Sequence, residues 1–171
     1  MKYIELTQDK RVMIDDGDFE LVNQYKWCVR VAKHTYYAQA HIPRDGGRIS
    51  TGMHRLILGL KPGDGKQGDH INHCGLDNRR SNLRIVTLQQ NHFNQLSYEN
   101  VSSKFKGVCW HKRKRRWVAG IKYNNKLHNL GRFNNEADAA RAYDAKAKEL
   151  FGEYAYLNFP DSQTVAERER C

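Results

Sequence analysis

The sequence predicts an α+β fold in parts: a β-rich N-terminal segment, a strand–loop–strand–helix unit, and a three-stranded antiparallel sheet packed on one helix. Three observations carry this expectation. Residues 1–52 alternate apolar and polar side chains in short runs broken by turns. Residues 104–160 give three such runs and then a longer one at helical spacing. Between them lies GDHINHCGLDNRRSNLRIVTLQQNHFNQ, a stretch rich in Asp, His, Asn and Arg with little to bury.

The N-terminal runs are YIEL, RVMID, WCVRVA and TYYAQAHI, with a turn at RDGGR. A short helix is expected in DDGDFELVNQYKW, with Asp18 as its cap before Leu21, Val22 and Tyr25. The central block spans 53–96, where the turn-rich KPGDGKQG delivers Asp69 and His70 to a strand start. Arg84–Val86 reads as the returning strand. Thr87 and Gln90 have capping-box spacing, which fixes a helix start at Thr87. SYENVSS, 97–103, has the composition of a linker.

In the C-terminal block KGVCWHK, RWVAGIKY and KLHNLGRF read as strands, with a hairpin turn at NNKL. NNEADAARAYDAKAKELFG then reads as a helix, capped by Asn134 or Asn135 and closed by Gly152. Ala137, Ala140, Tyr143, Ala147 and Leu150 form its apolar face. Residues 161–171 read as a polar tail.

Composition bounds the function. The 171 residues fit one ordinary domain or two small ones, and an apolar fraction of 39% points to small cores. A net charge of +10 suits a polyanionic partner. Ten Lys or Arg and no Asp or Glu fall between Lys104 and Asn135. On the second strand of that block Arg116, Val118, Gly120 and Lys122 share one face, and Trp117, Ala119, Ile121 and Tyr123 the other. The apolar set would pack on the helix and leave a cationic face for a DNA groove. Single-stranded RNA on the same aromatic and basic surface is the other nucleic-acid reading.

No apolar run is long enough to span a membrane, and the N-terminus lacks the apolar core of a signal peptide. Cys28, Cys74, Cys109 and Cys171 are scattered, and their even number does not by itself argue for disulfides. The expectation is an intracellular protein, in the cytoplasm of a bacterial host if the source is phage or bacterial.

Asp69, His70 and an Asn on the following helix fit metal-assisted phosphodiester hydrolysis. A carboxylate and an amide oxygen are hard ligands of the kind Mg2+ takes. A neutral His is a natural base for the attacking water. Asn82 would brace the loop or orient His70. A zinc site from His70, His73 and Cys74 is the alternative by ligand type, but it lacks a fourth ligand. His54 and His92 read as structural.

These residues carry a resemblance. DHIN…LDNRRSNLRIVTLQQNHFNQ, with MHRLILGL upstream, resembles the ββα-metal motif of HNH nucleases, in the branch found in phage and mobile-element homing endonucleases. The resemblance implies Asp69 as a metal ligand, His70 as the general base, Asn82 as the steadying Asn, and Asn91 as the second ligand. It implies Mg2+, or Mn2+, as cofactor. Arg79, Arg80 and Arg84 would bind flanking phosphates.

KGVCWHKRKRRWVAGI, HNLGRF, EADAARAYDAKAKELFG and LNFP resemble the APETALA2/ethylene-response-factor DNA-binding domain. By that resemblance Lys106, His111, Arg113, Arg115, Arg116, Lys122, Asn129 and Arg132 would face double-stranded DNA. The KRKRR loop is one residue longer than in the plant domain, and Cys109 and Asn129 stand where Arg and Trp are common there. The combined expectation is a DNA endonuclease that nicks as a monomer, a dimer or two successive events being needed for a double-strand break. The alternative is a non-catalytic DNA-binding regulator with a degenerate nuclease motif.

Overall fold

The computed structural model describes residues 1–33, 35–44, 46–95 and 102–160. It is α+β, with several small antiparallel sheets and few helices. Among the described residues the chain divides into two compact units, Met1–Leu88 and residues 89–160.

In the first unit β1 (Lys2–Glu5) pairs with β2 (Arg11–Ile14). A 3-10 turn and α1 (Phe19–Asn23) follow. Asp18 stands at the N-cap position of α1 but makes no capping bond. Its buried carboxylate instead accepts both arms of Arg80, at 2.9 and 2.7 Å. The capping role expected of Asp18 is thus replaced by a pairing 62 residues away.

The second sheet is β3 (Cys28–Val31), β4 (Tyr36–Arg44) and β5 (Gly47–Gly52), in that order, followed by α2 (Met53–Ile57). Val12, Ile14, Val22, Trp27, Met53 and Leu83 meet in one core. That core crosses the Gly52–Met53 division drawn from the sequence, since Val12 and Ile14 meet Ala38 and Ala40 as well as Met53, Ile57 and Leu83.

β6 (Lys66–His70) and β7 (Leu83–Thr87) form a two-stranded ladder, with Asp69 opposite Arg84 and His70 opposite Leu83. Asp69 and His70 therefore end a strand rather than begin one. The turn-rich KPGDGKQG closes before Lys66 through Asp64, whose carboxylate accepts from the backbone of Lys61 and Lys66. Helix α3 (Leu88–Asn94) starts directly after Thr87, as the spacing predicts. The unit boundary falls within it.

The second unit contains β8 (Val108–His111), β9 (Arg116–Tyr123) and β10 (Lys126–Phe133), with β9 central, and α4 (Glu136–Phe151). Asn124 and Asn125 have φ of 49° and 60°, the left-handed pair that a two-residue hairpin turn requires. Asn135 caps α4 by accepting from the Ala137 N–H at 2.7 Å. Ala140, Tyr143 and Ala147 are buried as expected. Ala137 and Leu150 are only partly so, while Ala139 and Phe151 complete the face.

Residues 97–101 of the expected linker, and the tail, lie outside the described residues. Ser102 and Ser103 are tied into the second unit, accepting from the backbone of Trp110 and Phe105. The LNFP segment is held by Asp144, which accepts from Asn158 and Phe159.

Gly107 is the tightest point of this unit. Its φ is 75°, and a Cβ there would lie 1.9 Å from the Tyr143 ring. Gly107→Ala is expected to cost about 2–4 kcal/mol, from left-handed strain and overpacking together. Urea unfolding of the variant against the parent chain measures it.

Candidate functional site

The loop between β6 and β7 is built from side-chain amides. The Asn72 N–H donates to Asn82 Oδ1 at 2.9 Å, and Asn82 Nδ2 donates to the Asp77 carbonyl at 2.8 Å. Asn72 Nδ2 donates to Asp77 Oδ2 at 3.1 Å, while Asn72 Oδ1 accepts from the Cys74 N–H at 2.8 Å. Asn78 Nδ2 donates to the Gly75 carbonyl. Asn72, Asp77, Asn78 and Asn82 are all buried. Backbone groups of the loop are thus satisfied by Asn and Asp side chains, while Leu76 packs on the core.

The first fifty residues supply the platform for this loop. The backbone of Met13 exchanges hydrogen bonds with Leu76 and Asn78, each at 2.8 Å. Asp15 accepts from the Arg80 N–H at 2.7 Å. Gly75 donates to Thr35 Oγ1, and a Cβ on Gly75 would lie 2.4 Å from the Tyr36 carbonyl oxygen.

On this frame Asp69 and His70 are both buried, 8% and 5% exposed. Arg84, directly across the ladder, donates through Nε to Asp69 Oδ2 at 2.8 Å. The His70 ring packs against Tyr37 and His54, with centroids at 5.7 and 4.9 Å. His54 fills a cradle between two glycines, since a Cβ on Gly52 or Gly68 would lie 2.6 or 2.7 Å from its ring.

Burial lowers the His70 pKa to about 4, against the opposing pull of Asp69, the Asn78 amide and Asp77. Burial also lowers His54 to about 3, helped by the neighbouring His70. Both imidazoles are therefore neutral at physiological pH. Burial, and then the Asp69 charge, raise the Tyr37 hydroxyl pKa.

In the second unit the register defines a basic face. Cys109 and His111 of β8 lie beside Val118 and Arg116 of β9. Lys122, Gly120 and Val118 lie beside Leu127, Asn129 and Arg132 of β10. A bulge between Asn129 and Gly131 keeps Asn129 and Arg132 on one face, where strict alternation would separate them. Arg116, Lys122, Asn129 and Arg132 are exposed, as are Arg113 and Arg115 on the β8–β9 turn.

An uncharacterized HNH endonuclease of Acanthamoeba polyphaga mimivirus is 35% identical to this chain over 153 residues, covering 83% of this chain and 75% of the viral one. The chain belongs to the HNH endonuclease family. Residues 103–153 of the chain match the AP2 domain. Dehydration-responsive element-binding protein 2D of Arabidopsis thaliana is 41% identical over 69 residues, 37% of this chain and 32% of the plant protein. Ethylene-responsive transcription factor WRI1 of the same plant is 40% identical over 65 residues, 37% of this chain and 15% of its own length. No solved structure matches.

The first unit brings together Asp69, His70 and Asn82. Asn82 ties Asn72 to Asp77 through its side-chain amide. Asn91 lies on α3, on the second-unit side of the boundary. The three central arginines are engaged otherwise than expected. Arg79 grips Asp77 at 2.8 and 2.6 Å, Arg80 grips Asp18, and Arg84 grips Asp69. Each sits in a strong pair with a buried carboxylate, so its charge is largely compensated within the protein.

Lys106 also departs from expectation. Its ammonium donates to the Phe93 and Gln95 carbonyls at the end of α3, at 2.7 and 2.6 Å, and burial lowers its pKa to about 8. His111 Nδ1 accepts from the Lys114 N–H. Among the described residues no three His, Cys, Asp or Glu gather to hold a metal, so the His70–His73–Cys74 alternative does not assemble. Tyr37 and His54 are the site neighbours that pattern reading does not supply; for His54, a glycine at Gly52 beside the MHRL segment is the available signal.

The depressed histidines have a consequence for stability. The unfolded chain titrates them near 6.5, so between that value and about 4 it binds protons that the folded chain refuses. Stability from these groups is full above about pH 6.5 and falls as pH drops, by at most ~1.4 kcal/mol per unit for each group. Urea melts at pH 7.5 and 4.5 are expected to differ by a few kcal/mol more in the parent chain than in His54→Phe. An equal loss in both would contradict the assignment.

Proposed function

We propose that this chain is a divalent-metal-dependent DNA endonuclease of the homing type, hydrolysing one phosphodiester bond on duplex DNA positioned by its AP2 domain. The observation that carries the reading is the Asp69–His70 pair, buried at the end of β6 and braced by the Asn82 loop, in a chain of the HNH family. The homing character rests on the resemblance of the segment from Asp69 to Gln95.

The donor chemistry fits the implied ion. A buried carboxylate with amide oxygens and neutral imidazole is a hard, mostly oxygen set, suited to Mg2+ or Mn2+. By the resemblance of the segment, Asp69 and Asn91 would be its ligands. When bound, the ion would supply charge neutralisation at the phosphate and leaving oxygen. His70, kept neutral by burial, accepts the proton of the attacking water. Tyr37 and His54 keep its ring from rotating away, and Arg84 keeps the Asp69 carboxylate in place.

The second unit holds duplex DNA through the exposed Arg116, Lys122 and Arg132, with Asn129 as an amide reader on the same face. One site per chain gives a nick by a monomer. A regulator without cleavage activity is the second reading, favoured by one observation: the Asp69 carboxylate already carries a guanidinium partner, which a cation must share.

Supercoiled plasmid incubated with Mg2+ or EDTA tests the proposal, comparing the parent chain with His70→Ala. Nicking that needs metal and falls at least 100-fold in His70→Ala, with DNA binding retained, is the expected outcome. No nicking of DNA shown to be bound would favour the regulator. Equal nicking by both proteins would move the chemistry away from His70.

A further inference from the structure

The first unit contains a pocket of about 330 Å3 that none of the sequence-derived site residues lines. Its walls are Arg30 from β3, Tyr37 from β4, Ser50 and Thr51 from β5, and His54 and Arg55 from α2. No Asp or Glu lines it. Its two arginines differ from Arg79, Arg80 and Arg84, which all clasp buried aspartates. Neither Arg30 nor Arg55 forms an ion pair with a carboxylate among the described residues.

The two cations are presented differently. Arg55 donates to the Lys61 and Lys66 carbonyls at 3.2 and 3.4 Å, which fixes its guanidinium against the loop before β6. Arg30 is exposed and lies 6.0 Å over the Tyr37 ring, its cross-strand partner. Tyr37, Ser50 and Thr51 add no charge to the same walls, and the Ser50 hydroxyl accepts from the Gln39 amide. Two guanidiniums with no competing acid form a site for an oxyanion, and phosphate matches the planar donor fork of Arg.

The location decides which phosphate. Tyr37 and His54 line the pocket, and the same two rings pack on His70. We propose that this pocket seats a backbone phosphate of the DNA strand flanking the bond to be cut, with Arg30 and Arg55 as its cations. This rests on the nuclease reading, because the DNA strand is the phosphate source that reading supplies. The consequence is a register role. The N-terminal sheet grips the strand and sets which phosphodiester bond lies against His70.

The test uses the full chain and thymidine 3′,5′-bisphosphate, followed by the Nε–Hε resonances of Arg30 and Arg55. Saturable shifts of both resonances are expected, with affinity at least fivefold weaker in Arg30→Gln and unchanged in His70→Ala. Because Arg30 is exposed, Arg30→Gln should keep the parent circular dichroism spectrum. In plasmid nicking Arg30→Glu should raise KM about tenfold while leaving kcat within about threefold.

No shift of either arginine, or equal affinity in Arg30→Gln, would overturn the pocket. Inorganic phosphate is the control, and binding it as tightly as the bisphosphate would overturn the assignment to DNA. The two readings fail separately. Arginine-dependent bisphosphate binding by a chain that never cuts would sink the nuclease and leave a phosphate site. Nicking with unchanged KM in Arg30→Glu and no bisphosphate shift would sink the pocket alone.

Discussion

The hydrogen-bonded knot of Asn72, Asp77 and Asn82 is the constraint on which the first unit depends. It closes the β6–β7 loop through side-chain amides, and so decides where the β6 strand ends and which way Asp69 and His70 are held. A net hydrogen bond in such a knot contributes only ~1 kcal/mol, but removing one partner strands a buried polar group at a cost of ~1–3 kcal/mol. That asymmetry explains the density of Asn in a short stretch. Each amide both donates and accepts, so one side chain can satisfy backbone groups on two sides of the loop.

Positive charge is used in two distinct ways along the chain. In the first unit Arg79, Arg80 and Arg84 are paired with Asp77, Asp18 and Asp69, and the pairs hold segments together. In the second unit the stretch from Lys104 to Asn135 has no acidic residue at all, so its exposed cations have no local partner of opposite sign. The first arrangement builds a rigid site and the second builds a field. A sheet face of that kind attracts phosphate over a Debye length and weakens with salt.

Much of the second unit is legible in the sequence. β9 and β10 run over the stretches that alternation marks, Asn124 and Asn125 make the turn, and Asn135 caps α4. These are local signals, written in neighbouring residues. The bulge at Leu130 is not legible, because one inserted residue changes which side chains share a face without changing composition.

The site is legible in its parts but not in its partners. Asp69, His70 and Asn82 stand out by type and spacing, and the structure gathers them. The pairing of Arg80 with Asp18 is long-range, so a residue that looks like a helix cap is taken by a stronger partner. The packing of Tyr37 and His54 on His70 joins three separate elements, and no periodicity reports it. Lys106 looks like a member of the basic face and instead closes the end of α3, which only its burial reveals.

The central claim is that the amide knot sets the Asp69–His70 pair in advance, without help from a metal ion. Hydrogen exchange at the Asn72 amide, which donates to Asn82 Oδ1, reads this directly in EDTA. Protection approaching that of the buried Val12 amide in the metal-free chain, lost in Asn82→Ala while Val12 stays protected, is the predicted result. Exchange at an unprotected rate until Mg2+ is added would contradict it, and would make the ion rather than the knot the organiser of the site.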